Sequence, residues 1–374
     1  MRTFDWVTNN QQLQQLCTEW QQLSFVVLDT EFVRVNTYYP HIGLIQLGTA
    51  SGNYLLDPLL IDDWQPFADL LDNRAVTKVV HACGEDLEVF QRLTGTVPQP
   101  LYDTQLAAAY ANLGFSWGYA RLVEHFLQIA LPKGATRSDW LQRPLTDEQQ
   151  LYAVQDVSYL AKVYPLLDEL LSEQKRNWML EDGAALVAAQ LQSIEFEELW
   201  RGAKLAWTLS PRQTAVLREL YAWRERQAQK RDIPRNWMLK EHVLLELAQQ
   251  QPTSMVELER IEGLSQGQLR RNGQELLAKV AAGRSLPEAE LPQPMPEPLP
   301  LEAGRAVKRL RKVGERFAAE QEIAPELVLK KKILVEALAS GWPHGPYRLP
   351  AALQGWRLEY LGDALQQALQ EEAE

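Results

Sequence analysis

Apolar and polar positions follow different periods in the two parts of the chain. At first, short apolar runs with β-branched content alternate with stretches of helical spacing; beyond about Glu198 the spacing is helical throughout. A helix is predicted around Asn9 to Leu23, and Phe25-Val-Val-Leu reads as a buried strand with Asp29 and Glu31 at its C-terminal end. His41 to Gly48 reads as a second strand, Ala50 to Asn53 as a turn and Tyr54-Leu-Leu as a third strand, which makes an antiparallel meander. Trp64 to Leu71 is then helical, Val76 to Val80 is a strand, and Glu85 to Leu93 places apolar residues 87, 89, 90 and 93 at helical spacing. Strands in series followed by strand-helix units predict a mixed sheet covered by helices, an α/β domain whose ligands sit beyond the strand C-termini.

Candidate chemistry gathers on carboxylates. Side chains alternate along a strand, so Asp29 and Glu31 share a face, and two such charges coexist only with a cation or a raised pKa. Taken alone, they could equally be solvated acids at a strand end. Asp86 falls in the first turn of the helix after the fourth strand, where the helix dipole favours any anion. Thr146 and Gln149 form a capping-box start for a helix on which Tyr152 and Asp156, four apart, share one face. In isolation that pair reads as a buried phenol with a satisfied acid. Asp103, lacking a paired acid, is expected to cap a helix, or else to support the site residues from behind. The loop Pro132 to Trp140 combines Lys133 and Arg137 with an aromatic; it suits a phosphate and a stacked base, or a solvated connection.

Together these motifs resemble the tyrosine-bearing branch of the DEDD exonuclease superfamily over about residues 20 to 171. Asp29-Thr-Glu-Phe32 and His81-Ala-Cys-Gly-Glu-Asp-Leu87 are similar to the bacterial ribonuclease D family in particular. One departure is that His81 and Glu85 stand where many relatives carry an Asn and an aromatic. The resemblance implies a ribonuclease H-like mixed sheet and a site for two divalent cations, Mg²⁺ or Mn²⁺, which are hard ions suited to oxygen ligands. It further implies that Asp29 bridges both ions, that Glu31 and Asp156 hold the one that activates water, and that Asp86 serves the leaving-group ion. Tyr152 would orient the water; a phenol titrating near pH 10 suits a hydrogen-bonding positioner better than a general base. Thr30, Phe32 and His81 are the expected contacts to the terminal nucleotide, with Lys133 and Arg137 at the penultimate phosphate.

Charge changes the picture for the rest of the chain. Residues 1 to 200 carry 12 basic and 26 acidic side chains, net −14, whereas residues 201 to 284 carry 15 basic and 9 acidic, net +6. The basic balance suits a phosphate backbone. Residues 208 to 284, with Ile233-Pro-Arg-Asn-Trp-Met-Leu and Ile261-Glu-Gly, resemble the HRDC domain, a helical module of RecQ-type helicases and ribonuclease D. The Pro-rich stretch 285 to 300 is expected to be a semi-rigid linker. Residues 301 to 374 repeat the helical layout as a second HRDC-like domain, its basic clusters Lys308 to Lys312 and Lys330 to Lys332 balanced by acids and assignable to RNA contact or to packing.

No stretch approaches the roughly 18 apolar residues of a membrane span, and Cys17 and Cys83 are too few for a disulfide framework. A cytoplasmic monomer with no membrane partner is therefore expected. The expected activity is that of a 3′-to-5′ exoribonuclease trimming tRNA precursors with 3′ extensions and other structured RNAs, releasing nucleoside 5′-monophosphates. The alternatives are a DNA 3′-to-5′ exonuclease and a non-catalytic RNA-binding scaffold, since no residue by itself marks what reads the 2′-hydroxyl.

Overall fold

A computed structural model describes residues 4–131 and 138–372. Its contacts divide the chain into two compact units: one comprises the residues up to Val33, Pro40–Gln192 and those from Pro300 on, the other Arg34–Tyr39 and Ser193–Leu299.

The first unit is built on strands β1 (Asp5–Val7), β2 (Phe25–Val33), β3 (His41–Gly48), β4 (Asn53–Leu56), β5 (Thr77–Val80) and β6 (Leu101–Asp103). They form a mixed sheet in the order β1-β4-β3-β2-β5-β6. The expected meander is present, β2 pairing antiparallel with β3 and β3 with β4; β5 then runs parallel to β2, and β6 to β5. The sequence pattern ended the first long strand at its carboxylates, but β2 continues to Val33. Phe32 and Val33 still pair with Ile42 and His41 after a register shift between Glu31 and Phe32, so Asp29 and Glu31 lie inside the strand. β1 and β6 were not anticipated, because three residues are too few to display a period.

Helices α1 (Asn10–Trp20), α2 (Gln65–Asp72) and α3 (Asp86–Thr94) bury Leu13, Cys17, Trp20, Phe67, Leu70, Leu87 and Phe90 with Val26, Leu28, Ile45 and Leu47 of the sheet. α4 (Thr104–Tyr110), α5 (Tyr119–Leu127), α6 (Asp147–Asp168) and α7 (Glu173–Leu191) follow. The side of the sheet carrying Leu44 and Leu55 is covered by Ala153 and Val154 of α6 together with Trp140 and Leu145.

In the second unit, α8 (Pro211–Arg231), α9 (Arg235–Met238), α10 (Glu241–Gln250), α11 (Met255–Leu258) and α12 (Gln266–Ser285) enclose their own core. α8 begins with a Ser210–Gln213 capping box and Pro211 in its first turn. It ends at Asp232, whose left-handed backbone (φ 48°) lets the Ile233 N–H return to the Ala228 carbonyl at 3.0 Å. Back in the first unit lie α13 (Ala303–Glu320), α14 (Lys331–Ala339) and α15 (Gly355–Glu371). α13 repeats the same exit: Glu322 has φ 49° and the Ile323 N–H returns to Ala318 at 3.0 Å.

Specific contacts tie these last helices to the sheet and its covering helices. Trp356 stacks on Trp178 of α7, with centroids 4.8 Å apart and planes at 20°, and on Phe317 of α13. Arg357 grips Asp182 with both terminal nitrogens, at 2.5 and 2.8 Å, while the Tyr110 hydroxyl donates to the same carboxylate at 2.6 Å. The Ala324 N–H donates to the Ala109 carbonyl at the end of α4 at 2.9 Å. Among the described residues no helix is long and apolar enough to cross a membrane.

Trp356 is 1% exposed, so Trp356→Ala leaves a cavity at this junction. It is expected to lower stability by about 3 to 5 kcal/mol, measured by urea denaturation of the full chain. A loss below about 1 kcal/mol would mean that the aromatic stack does not hold the C-terminal helices in place.

Candidate active site

The register of β2 on β3 sets which way the acids point. Asp29 stands opposite Gln46 and Glu31 opposite Leu44, and Leu44 belongs to the cluster under α6, so both carboxylates share the face that α6 covers. α6 turns Tyr152 and Asp156 toward the same face, and oxygens of Asp29, Glu31 and Asp156 lie within 4.8 Å of one another. Close approach of this helix depends on Gly48: a Cβ there would sit 2.9 Å from the Val157 carbonyl oxygen.

The start of α6 is clamped. The Thr146 hydroxyl accepts the Gln149 N–H at 3.2 Å, and the Gln149 carboxamide oxygen accepts the Thr146 N–H at 3.0 Å. Just upstream, Arg143 makes a two-point ion pair with buried Asp57, both contacts at 2.7 Å, and donates to the Gly43 and Trp140 carbonyls at 2.6 and 3.0 Å. Trp140 is buried beside Tyr152, their rings 6.2 Å apart. The phenol is therefore backed by a wall that an ion pair holds.

Asp86, at the start of α3, is reached from β2: the Thr30 hydroxyl donates to its Oδ1. The turn before it is held by Asp103, whose carboxylate accepts the Ala82 and Cys83 N–H groups at 3.0 and 3.2 Å. Asp103 also caps α4 through the Gln105 N–H at 2.8 Å, the role its sequence position predicts. His81 Nδ1 lies 2.9 Å from the Thr104 hydroxyl, and its ring meets Tyr119 edge-on at 5.7 Å. Tyr119 in turn donates to the Gln155 carbonyl, next to Asp156, at 2.6 Å.

Of the expected substrate contacts, Thr30 is buried with its hydroxyl committed to Asp86, Phe32 is half-buried, and His81 is turned to Thr104. Lys133 and Arg137 lie outside the described residues. Sequence reasoning missed Gln46, Tyr119 and the Asp57–Arg143 pair. A polar residue within the apolar 41–48 run could have flagged Gln46; nothing local could have joined residues 86 positions apart.

Like charges in a buried site hold their protons. Burial, with Asp156, Asp86 and Glu31 adding to it, raises Asp29 well above the usual carboxylate range. Burial followed by the charges of Asp156 and Asp86 pushes Glu31 up to about 9. Burial lifts Asp156 to about 7, opposed by the Tyr152 hydroxyl, and Asp86 to about 6, opposed by Thr30. The Tyr152 phenol is raised by burial and by these same carboxylates, so it stays protonated at neutral pH. Asp156 Oδ2 and both amide atoms of Gln46 are buried without a partner among the described residues. Converging hard oxygens, one of them on Asp156 without a partner, fit a divalent cation better than they fit one another.

Known proteins share this fold and sequence. Residues 4–172 match the family model described as 3′-5′ exonuclease, and residues 213–280 match that of the HRDC domain. The chain is 51% identical over 365 residues to ribonuclease D of Pseudomonas paraeruginosa, covering 98% of this chain and 97% of that protein. It is 37% identical over 374 residues to ribonuclease D of Escherichia coli, covering 98% and 99%. The crystal structure of E. coli RNase D, described as an exoribonuclease involved in structured RNA processing, matches with a TM-score of 0.90 and 36% identity over 99% of both chains. Fold and site thus define a 3′-to-5′ exonuclease, of a class that works with divalent metals. The chain belongs to the ribonuclease D family, and its activity is that of a 3′-to-5′ exoribonuclease.

The raised acids make metal binding and stability pH-dependent. An acid such as Glu31, at 4.5 unfolded and about 9 folded, contributes stability that is fully present below its unfolded pKa and lost as pH rises through its folded one. A cation needs the deprotonated form, so the rise in melting temperature on adding Mn²⁺ is expected to grow from about pH 5 to about pH 8. A metal-induced shift that is equal at both pH values would show that these carboxylates are not the ligands.

Proposed function

We propose that Asp29, Glu31, Asp86 and Asp156 hold two divalent cations, Mg²⁺ or Mn²⁺, with Asp29 shared between them, Glu31 and Asp156 on the ion beside the nucleophilic water, and Asp86 on the leaving-group ion. The observation that carries this reading is the convergence of oxygens of half-buried Asp29, Glu31 and Asp156 within 4.8 Å. When bound, such a pair supplies charge neutralisation at the scissile phosphate and a water of lowered pKa.

The protein's own groups do the positioning. Tyr152, protonated, orients the attacking water by hydrogen bonding and takes no proton from it. Thr30 fixes the Asp86 carboxylate, and Asp103 fixes the turn that delivers it. Phe32 and His81 meet the terminal nucleotide, and Lys133 and Arg137 the penultimate phosphate. Cleavage releases nucleoside 5′-monophosphates one at a time.

The substrate we infer is structured RNA with a single-stranded 3′ tail, notably tRNA precursors, processed by a cytoplasmic monomer. Structured RNA processing is the role of the E. coli relative, and the net +6 of residues 201–284 suits capture of a polyanion. A tailed tRNA assayed beside single-stranded DNA of the same tail sequence, with Mg²⁺ or Mn²⁺ and with chelator, tests this. Metal-dependent trimming of the RNA is expected, and faster digestion of the DNA would overturn the substrate assignment.

Two substitutions separate the roles. Asp29→Ala is expected to abolish turnover while RNA binding stays measurable, whereas Tyr152→Phe lowers kcat by roughly 100-fold with metal affinity unchanged. If Tyr152→Phe loses metal as severely as Asp29→Ala in calorimetric titration, the two roles are wrongly assigned.

A further inference from the structure

We propose that the groove between the 112–118 turn and the C-terminal helices is an upstream subsite for the single-stranded part of the RNA, taking an unpaired base on Phe115 and phosphates on Arg311, Lys330 and Lys331. The proposal rests on the exoribonuclease reading above. The groove encloses about 400 Å³, with Phe115 from the exonuclease fold on one wall and Arg311, Lys330 and Lys331 of the C-terminal helices on the other.

Phe115 is 46% exposed. The turn that presents it has left-handed backbone at Asn112, Gly114 and Ser116, and a Cβ at Gly114 would strike the buried Trp117 indole. Such a turn holds the ring outward by backbone geometry. Arg311, Lys330 and Lys331 are exposed, and none makes an ion pair or side-chain hydrogen bond among the described residues. Glu315 and Glu326 share the rim but are outnumbered by the cations. The first turn of α14 carries lysines and no acid, so positive side chains crowd the positive end of the helix dipole, an imbalance that an anion relieves.

The location selects the ligand. Four residues after Phe115 comes Tyr119, whose hydroxyl bonds beside Asp156; the Cα atoms of the two residues are at most roughly 14 Å apart. With the reach of the two side chains added, the Phe115 ring stands within roughly 25 Å of the acids, so at a stacked rise of about 3.4 Å per nucleotide a base on it lies within about eight nucleotides of the 3′ end. An exposed ring paired with free cations suits a single strand, because every unpaired base offers a π-face, while bases in a duplex are already stacked.

The test compares the full-length protein with Phe115→Ala, Phe115→Trp and the double variant Lys330→Gln/Lys331→Gln on a 20-nucleotide single-stranded RNA and on a dinucleotide too short to reach the groove. Phe115→Ala is expected to raise KM for the long RNA roughly 5- to 100-fold, with Phe115→Trp restoring it and kcat on the dinucleotide unchanged. The lysine variant should flatten the slope of log affinity against log salt by about 1.4, two phosphates' worth for a single strand. Unchanged KM and salt slope overturn the proposal, including in favour of an acidic protein segment as occupant. Equal loss on both substrates overturns it too, by showing that Phe115 only supports the turn. If the wild type trims neither RNA, the exoribonuclease reading itself has failed.

Discussion

Half-buried carboxylates crowded too closely for all to ionise are the constraint to which the rest of the fold answers. Asp29, Glu31 and Asp156 converge in a setting dry enough to raise all three, and a protein that did not need the arrangement would relax it. Rigid elements prevent that relaxation. β2 and β3 lock the direction of Asp29 and Glu31 through their register, and the bare backbone at Gly48 lets α6 press Asp156 down onto them. The Asp57–Arg143 pair and the Thr146–Gln149 box stop α6 from sliding back. Thr30 and Asp103 do the same for Asp86, from the strand side and the turn side. Held in place, the acids keep protons in the absence of a cation, and the geometry is already set for one to displace them.

Local periods made the candidate site residues legible, and distance in sequence hid their supports. Period two put Asp29 and Glu31 on one face, and a spacing of four did so for Tyr152 and Asp156, because strand and helix geometry act over a few residues. Arg143 and Asp57 are invisible to such reasoning, as is Asp103's hold on Ala82 and Cys83 from 20 residues away. Three-residue strands carry no readable alternation, so β1 and β6 emerged only from their pairing with β4 and β5. The C-terminal helices show the same limit. Their helical pattern and Lys-rich clusters were plain, but their union with α4 and α7 depends on Trp356, Arg357 and Asp182, about 175 positions apart.

Charge then divides the labour. The −14 of the first 200 residues suits a pocket that concentrates cations and disfavours a polyanion at long range, so RNA must be held by other surfaces. The basic HRDC region offers one such surface. The helices after the linker, packed against the exonuclease fold, carry exposed lysines and arginines within one loop of the site.

The central claim is that these carboxylates form a two-cation site, and its most direct measurement is a crystal structure of the full chain grown with Mn²⁺, using anomalous scattering to locate the metal. The account predicts two manganese peaks about 3.5 to 4 Å apart, with Asp29 between them, Glu31 and Asp156 on one and Asp86 toward the other. A single peak at saturating Mn²⁺, or peaks that leave Asp29 unligated, would contradict it.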